Sequence, residues 1–253
     1  MRARPRTAVI VQARIGSVRL PGKTMLDLSG RTLIERVLER CRGIDGIDEI
    51  CCAIPDTVEN DPLAEIVGRC GVRLFRGSES DVLDRYYRAA LESKAEIILR
   101  VTGDCPLLDP YMCARVLNLC VERNATYSTN CMPPVWPHGL DCEAFPFIWL
   151  EKAASEAIDT VHREHVSPYI RFHKLRRVAV LQGPNQNLSF HRWTVDTIED
   201  LAFMRALLPL VPEGPSFWRH EHILNILEDR PDIIDINRGV GKKNWAEYCD
   251  LGK

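Results

Sequence analysis

Residues 7–26 read Thr-Ala-Val-Ile-Val-Gln-Ala-Arg-Ile-Gly-Ser-Val-Arg-Leu-Pro-Gly-Lys-Thr-Met-Leu, and their reading decides the fold. The apolar run from Ala8 to Val11 suits a strand buried on both faces, as in a parallel sheet covered by helices. A loop follows at once, with Gly16, Pro21, Gly22 and the cations Arg14, Arg19 and Lys23. A loop at the carboxyl end of a first parallel strand is where open α/β sheets bind ligands. Glycines let backbone approach a ligand, and successive amides near Gly16 and Ser17 can form an anion-binding nest. Such a loop suits a polyphosphate; the competing reading is an ordinary basic surface loop. It matches neither standard phosphate loop. Five residues separate Gly16 from Gly22-Lys23-Thr24, one more than Gly-x-x-x-x-Gly-Lys-Ser/Thr requires. The dinucleotide fingerprint of closely spaced glycines is absent.

Outward from that stretch, strand and helix patterns alternate. Apolar residues at 33, 34, 37, 38 and 41 predict a helix over 32–41, stopped near Gly43. A buried strand is expected over 47–54. Asn60-Asp61-Pro62 predicts a helix start with Asp61 as cap and Pro62 in the first turn. A short strand over 72–75, a helix over 80–91 and a strand over 95–101 follow. This βαβα order implies an α/β fold with a mostly parallel sheet between helices.

The run Arg100-Val101-Thr102-Gly103-Asp104-Cys105-Pro106 sets a carboxylate directly after a buried strand. In a parallel sheet, Asp104 then shares an edge with the first loop. It is either a turn-former or a ligand for Mg²⁺, which proteins hold with few carboxylates plus substrate phosphates. Asp109 reads as a cap for a helix over 111–121. The stretch 132–139 is too rich in proline for a helix or a central strand. Beyond it, the alternation in Gly139-Leu140-Asp141-Cys142-Glu143 puts Asp141 and Glu143 on one face of a strand. That is a half-exposed strand, or an acidic wall over a hydroxyl-rich acceptor. A helix over 160–170 carries Arg163, Glu164 and His165, either a solvated face or acceptor contacts. In Arg192-Trp193-Thr194-Val195-Asp196, a strand is expected to end at Asp196, which would cap the next helix or bind metal. Past residue 210 a helix over 217–227 and an edge strand over 233–238 are expected, with no legible chemistry.

Composition bounds the rest. The chain has 253 residues, 45% of them hydrophobic, and a net charge of −2. That is one large domain with a sizeable core and no global field for nucleic acid. Arg2, Arg4 and Arg6 make the start basic, but no apolar signal segment follows, and no stretch approaches the roughly 20 apolar residues of a membrane span. The ten cysteines show no C-x-x-C and no zinc spacing. They read as reduced, small core residues of a cytoplasmic protein.

The loop Arg14-Ile15-Gly16-Ser17-Val18-Arg19-Leu20-Pro21-Gly22-Lys23 resembles the signature of the sugar-activating cytidylyltransferases. These include the acylneuraminate and 3-deoxy-manno-octulosonate enzymes, and the resemblance is greatest to the SpsF-type spore-coat polysaccharide branch. Val18 stands where Thr is usual. Arg76-Gly77 with Asp81-Val82-Leu83-Asp84-Arg85, Thr102-Gly103-Asp104-Cys105-Pro106, Gly139 to Phe145, Arg163 to Val166 and Arg192 to Asp200 extend it over about 7–205.

The resemblance implies a Rossmann-like sheet of the nucleotide-diphospho-sugar transferase type, with a smaller acceptor and dimerisation lobe. One domain is expected: 7–130 for the nucleotide, 131–210 for the acceptor and second metal ligand, and 211–253 as an extension. The implied reaction moves CMP from CTP to an acidic sugar or similar small molecule, releases pyrophosphate and uses Mg²⁺. Nucleotide contacts would come from Gln12, Ala13, Arg14, Gly16, Ser17, Lys23 and Thr102, with Arg76 and Asp81 near base or ribose. Asp104 and Asp196 would hold metal; Arg14 and Lys23 would hold the triphosphate, while Arg19 could instead pair with a carboxylate. His138, Asp141, Glu143, Arg163, Glu164 and His165 would face the acceptor. Thr102 and Cys105 replace the Gln and Glu of the octulosonate branch, which argues against that sugar. A homodimer is implied as well. Two alternatives stay open: transfer to a sugar phosphate, phosphonate or cofactor, and a non-catalytic nucleotide-binding protein.

Overall fold

A computed structural model describes residues 4–241; Arg2, Lys242, Lys243 and Cys249 lie outside them. The first strand, β1 (Thr7–Gln12), is flanked by β2 (Glu49–Pro55) and β4 (Ile97–Thr102), and β3 (Arg73–Gly77) lies beyond β2. These four strands are parallel. On the other side, β6 (Glu143–Pro146) runs antiparallel to β4 and to β5 (Tyr127–Thr129), and β7 (Val178–Val180) pairs parallel with β5. The sheet order is β3-β2-β1-β4-β6-β5-β7.

The chain leaves β1 through α1 (Leu33–Cys41) to β2 on one side, and reaches β4 on the other through α3 (Val82–Glu92). The strand order therefore reverses at the β1/β4 boundary, the switch point where such sheets bind ligands. Register then juxtaposes the two loops of interest. Gln12 of β1 is paired with Thr102 of β4, and Gly103 donates its N–H to the Gln12 carbonyl at 2.8 Å.

Alternation along β1 divides the core. Val9 and Val11 face a cluster with α1, α2 (Asp61–Arg69), α4 (Pro110–Glu122), α8 (Ile198–Leu207) and α9 (His220–Asp229). Ala8 and Ile10 face α3, α5 (Phe147–Glu156) and α7 (Pro168–Phe172). Both faces of the strand are apolar because both are covered. Local chemistry agrees with the helix starts. Thr32 and Glu35 form a reciprocal capping box on α1, and Asp81 and Asp109 cap α3 and α4 by accepting N–H bonds from Asp84 and Met112.

Four local expectations are corrected. Asn60, not Asp61, is the cap position of α2. The helix expected over 160–170 is two, α6 (Thr160–His165) and α7, because Pro168 has no N–H to continue the first; Val166 takes up the break with φ 69°. Residues 233–238 form no strand: Pro231 opens α10 (Pro231–Asp235), whose Ile233 packs into the core. No strand ends at Asp196, and the cap of α8 is Thr197, boxed with Asp200. Nine described cysteines are free, and all but Cys70 are buried. Among the described residues no helix is long and apolar enough to cross a membrane.

Candidate active site

The loop after β1 folds back on itself. Ser17 and Gly22 both donate N–H bonds to the Ile15 carbonyl, and Asn60 Oδ1 receives the Ile15 N–H at 3.0 Å. Gly22 sits at φ 67°, a left-handed conformation that glycine adopts without strain, and it opens the short 3₁₀ turn of Lys23–Met25. That turn aims Lys23 across the switch point. Its Nζ donates to Asp104 Oδ2 at 2.8 Å, Asp196 Oδ1 at 2.8 Å and the Val195 carbonyl at 2.9 Å. An ammonium has three N–H groups, so all are engaged.

Burial pushes the Asp104 carboxyl up, but the Lys23 ammonium overrides this and holds it well below the usual carboxylate range. For Asp196, burial and the neighbouring Asp104 push upward, while Lys23 and Arg19 bring the net shift below the ordinary value. Burial lowers Lys23, and the two carboxylates more than offset it. The second carboxylate is buttressed from behind. Arg192 Nη2 donates to Asp196 Oδ2 at 3.1 Å, and Arg19 Nη2 lies 3.1 Å from the same oxygen. Arg192 also pairs with the fully buried Asp200 at 2.8 Å. Asn237 closes this support, donating to the Arg192 carbonyl at 2.9 Å and to Asp200 Oδ1 at 3.1 Å.

Lys23, Asp104, Asp196, Arg19 and Arg192 line a cleft of about 400 Å³. Gln12, Ala13, Arg14, Ser17, Lys23, Thr102, Asp104 and Asp196 all reach it, and so do His138, Asp141, Glu143, Glu164 and His165. The structure thus brings together most residues expected from the sequence. Four do not line the cleft. Gly16 lies beside it, where an added Cβ would meet only Glu79 at 3.9 Å. Arg76 is taken by Asp56, Asp61 and the Thr57 carbonyl at the end of β3. Asp81 and Arg163 pair with each other and tie α6 to α3. In both cases half-buried arginines pair with carboxylates of neighbouring elements.

Glu143 reaches the cleft but is only 4% exposed, and its oxygens accept bonds from Arg100, Tyr127 and Ser167. Arg100 holds Gln12 Oε1 at 3.0 Å with its other arm. Asp109 acts as the expected cap and also accepts from His220; with Glu221 these form a group of possible ligand atoms that is not part of the cleft lining. Burial pushes the Cys105 thiol well above its usual range and keeps it protonated, and Cys131 behaves likewise, so neither cleft thiol is a ready nucleophile.

The sequence reading missed Arg85. This guanidinium lines the cleft, is 2% exposed, donates to the Ser78 carbonyl and leaves its buried Nε without a hydrogen-bond partner. It has no ion-pair partner among the described residues, and burial lowers its pKa, with Arg14 as a like-charged neighbour. The signal was present: an arginine on the buried stripe of α3, among Val82, Leu83, Tyr86, Ala89 and Ala90. Arg100, inside the apolar run of β4, carried the same signal.

A family profile described as cytidylyltransferase matches residues 8–213. The chain belongs to the cytidylyltransferase family. This cytidylyltransferase is thus a nucleotidyltransferase, and the resemblance to the sugar-activating branch holds at chain length. It is 33% identical over 248 residues to an uncharacterised protein of Methanocaldococcus jannaschii, covering 94% of this chain and 97% of the other. It is 31% identical over 229 residues to the spore coat polysaccharide biosynthesis protein SpsF of Bacillus subtilis, covering 88% and 94%. The structure of a cytidylyltransferase from Leptospira borgpetersenii serovar Hardjo-bovis superposes with a TM-score of 0.85 at 29% identity, covering 91% of this chain and 97% of that one.

Proposed function

We propose that this cytidylyltransferase moves CMP from CTP to an acidic sugar or related small acceptor, releases pyrophosphate, and serves surface polysaccharide or glycoconjugate synthesis. The observation that carries the reading is the meeting of Lys23, Asp104 and Asp196 at the β1/β4 switch point. The polysaccharide context is supported by likeness to SpsF over most of both chains. Free, buried cysteines support a reducing, cytoplasmic setting.

The donor set fits Mg²⁺. Two carboxylate oxygens and the Val195 carbonyl converge on one point, which the Lys23 ammonium occupies as a cation; all three are hard oxygen donors. Asp104 and Asp196 would hold the ion, and bound there it would neutralise charge on phosphate oxygens.

The chain's own groups account for the remainder. Arg14 has no side-chain ion-pair partner among the described residues and stands at the cleft, ready for the triphosphate. Lys23 is presented at the same edge and, on giving up this point, can bond a phosphate oxygen instead, so its charge follows the leaving pyrophosphate. Nucleotidyl transfer depends mainly on such positioning and charge neutralisation. The test is pyrophosphate release with Mg²⁺ and each of the four nucleoside triphosphates against acidic sugars, neutral polyols and phosphate monoesters. Release with CTP and an acidic sugar is expected. Preference for another triphosphate would overturn the cytidylyl assignment, and no release with any pair would overturn the enzymatic reading.

A further inference from the structure

We propose that His138, oriented by Asp141, is the general base for the acceptor, and that the nucleophile is therefore a hydroxyl group and not a phosphate. The inference rests on the CMP-transfer reading above and specifies its acceptor. His138 Nδ1 lies 3.2 Å from Asp141 Oδ2. Asp141 is itself held: Cys131 Sγ donates to its Oδ1 at 3.0 Å, and the Gly139 N–H donates to its Oδ2 at 3.2 Å. Burial pushes this carboxyl up, but His138 and these donors keep its pKa below the ordinary value, so it remains ionised. A carboxylate on Nδ1 selects the tautomer with its proton there and leaves Nε2 as a lone-pair acceptor. Among the described residues no protein group bonds Nε2, and the ring lines the cleft.

The turn that carries His138 is built for place. Its N–H donates to the His191 carbonyl at 3.0 Å, and its carbonyl accepts from the Trp193 N–H at 2.6 Å. His138 thereby bridges Arg192, on the segment that runs directly to Asp196. Gly139 lies at φ 109° against that segment, where a Cβ would come 2.5 Å from the Trp193 carbonyl carbon. Backbone contact this close admits only glycine, and it locks the imidazole to the strand-like stretch bearing a candidate metal ligand. Among the other bases of the cleft, Glu143 has its oxygens taken by Arg100, Tyr127 and Ser167. Glu164 and His165 also line it, from α6.

The step balances. The acceptor hydroxyl gives its proton to His138 Nε2 as its oxygen bonds the α-phosphorus of CTP. The bond from that phosphorus to the bridging oxygen breaks, pyrophosphate leaves with the electron pair, and the imidazolium returns its proton to water. A phosphate nucleophile is already ionised at neutral pH and would gain nothing from a base.

Two measurements test this. In the resting protein, ¹⁵N-histidine NMR should show His138 protonated at Nδ1, with the population shifting toward Nε2–H in Asp141→Asn. An Nε2–H tautomer in the parent protein overturns the inference without reference to any substrate. In kinetics, His138→Gln should lower kcat for CTP with a hydroxyl acceptor about 100-fold or more, with affinity for CTP within threefold. A kcat within threefold of the parent, or release only with phosphate monoesters, overturns the inference and leaves CMP transfer standing. No release with any acceptor overturns both.

Discussion

Lys23 and Asp104 stand 81 residues apart in the chain and 2.8 Å apart in space, and this pairing is the electrostatic centre of the cleft. Lys23 also bonds Asp196, so one ammonium sits between two carboxylates that repel each other, the second of them shared with Arg19 and Arg192. The lysine is a counter-ion first, and a phosphate contact only by exchange.

Removing that charge should reverse the pH response of stability. In the parent protein, Asp104 and Asp196 are held below their ordinary 3.8, so their stabilising contribution is full above about pH 4 and is lost as pH falls through the depressed values. Lys23 is raised above 10.5, so its contribution is full below that pH and is lost as pH rises through the raised value. In Lys23→Met, Asp104 keeps no cation within bonding reach among the described residues, and burial with the nearby Asp196 raises it instead. Thermal denaturation should show a melting temperature about 5 °C or more below the parent at pH 7, recovering as pH falls toward 5. A variant that melts like the parent across this range would contradict the counter-ion role.

Asp104→Asn should keep the fold and lose turnover by a factor of about 100 or more, because a neutral amide cannot match the charge the site needs. Circular dichroism and steady-state pyrophosphate release at saturating Mg²⁺ check this. Near-normal turnover would remove Asp104 from the metal site.

Gly139→Ala should be costly far beyond an ordinary Gly-to-Ala change. The new methyl would clash with Trp193 backbone atoms, and the residue would be held at φ 109°. A loss of about 2–4 kcal/mol in urea unfolding is expected. A loss under about 1 kcal/mol would mean the turn can move off Trp193.

Arg85→Met should separate binding from folding. Its buried guanidinium lacks an ion-pair partner among the described residues, so stability should hold or rise slightly. CTP affinity, measured by calorimetry, should fall about tenfold or more with the loss of a charge-assisted contact to the nucleotide. Unchanged affinity would make Arg85 a purely structural arginine.

Much of this was legible from local pattern. The period of apolar residues in α1 and the double-faced run of β1 identify element type, because burial on one or two faces writes itself into spacing. The cap Asp109 was readable from local chemistry alone. Boundaries failed where a neighbour intervened. Thr197 took the cap of α8 because Asp196 was already committed to Lys23 and Arg192. The Asn237 support for Arg192 had no local signal, since its partners lie 45 and 37 residues away.

By itself the sequence determined the alternating α/β order, the basic loop after β1 and the three acidic turns that could meet it, since each depends on residues close in the chain. Only the tertiary structure decided which charges are available. Arg76, Asp81 and Arg163 look like Arg14 and Asp104 in sequence, yet the first three are paired outside the cleft lining, while Asp104 meets Lys23 within it. A charge in a low-dielectric interior pairs with whatever counter-charge the packing brings within reach, and that reach is set by register and crossover, not by spacing along the chain.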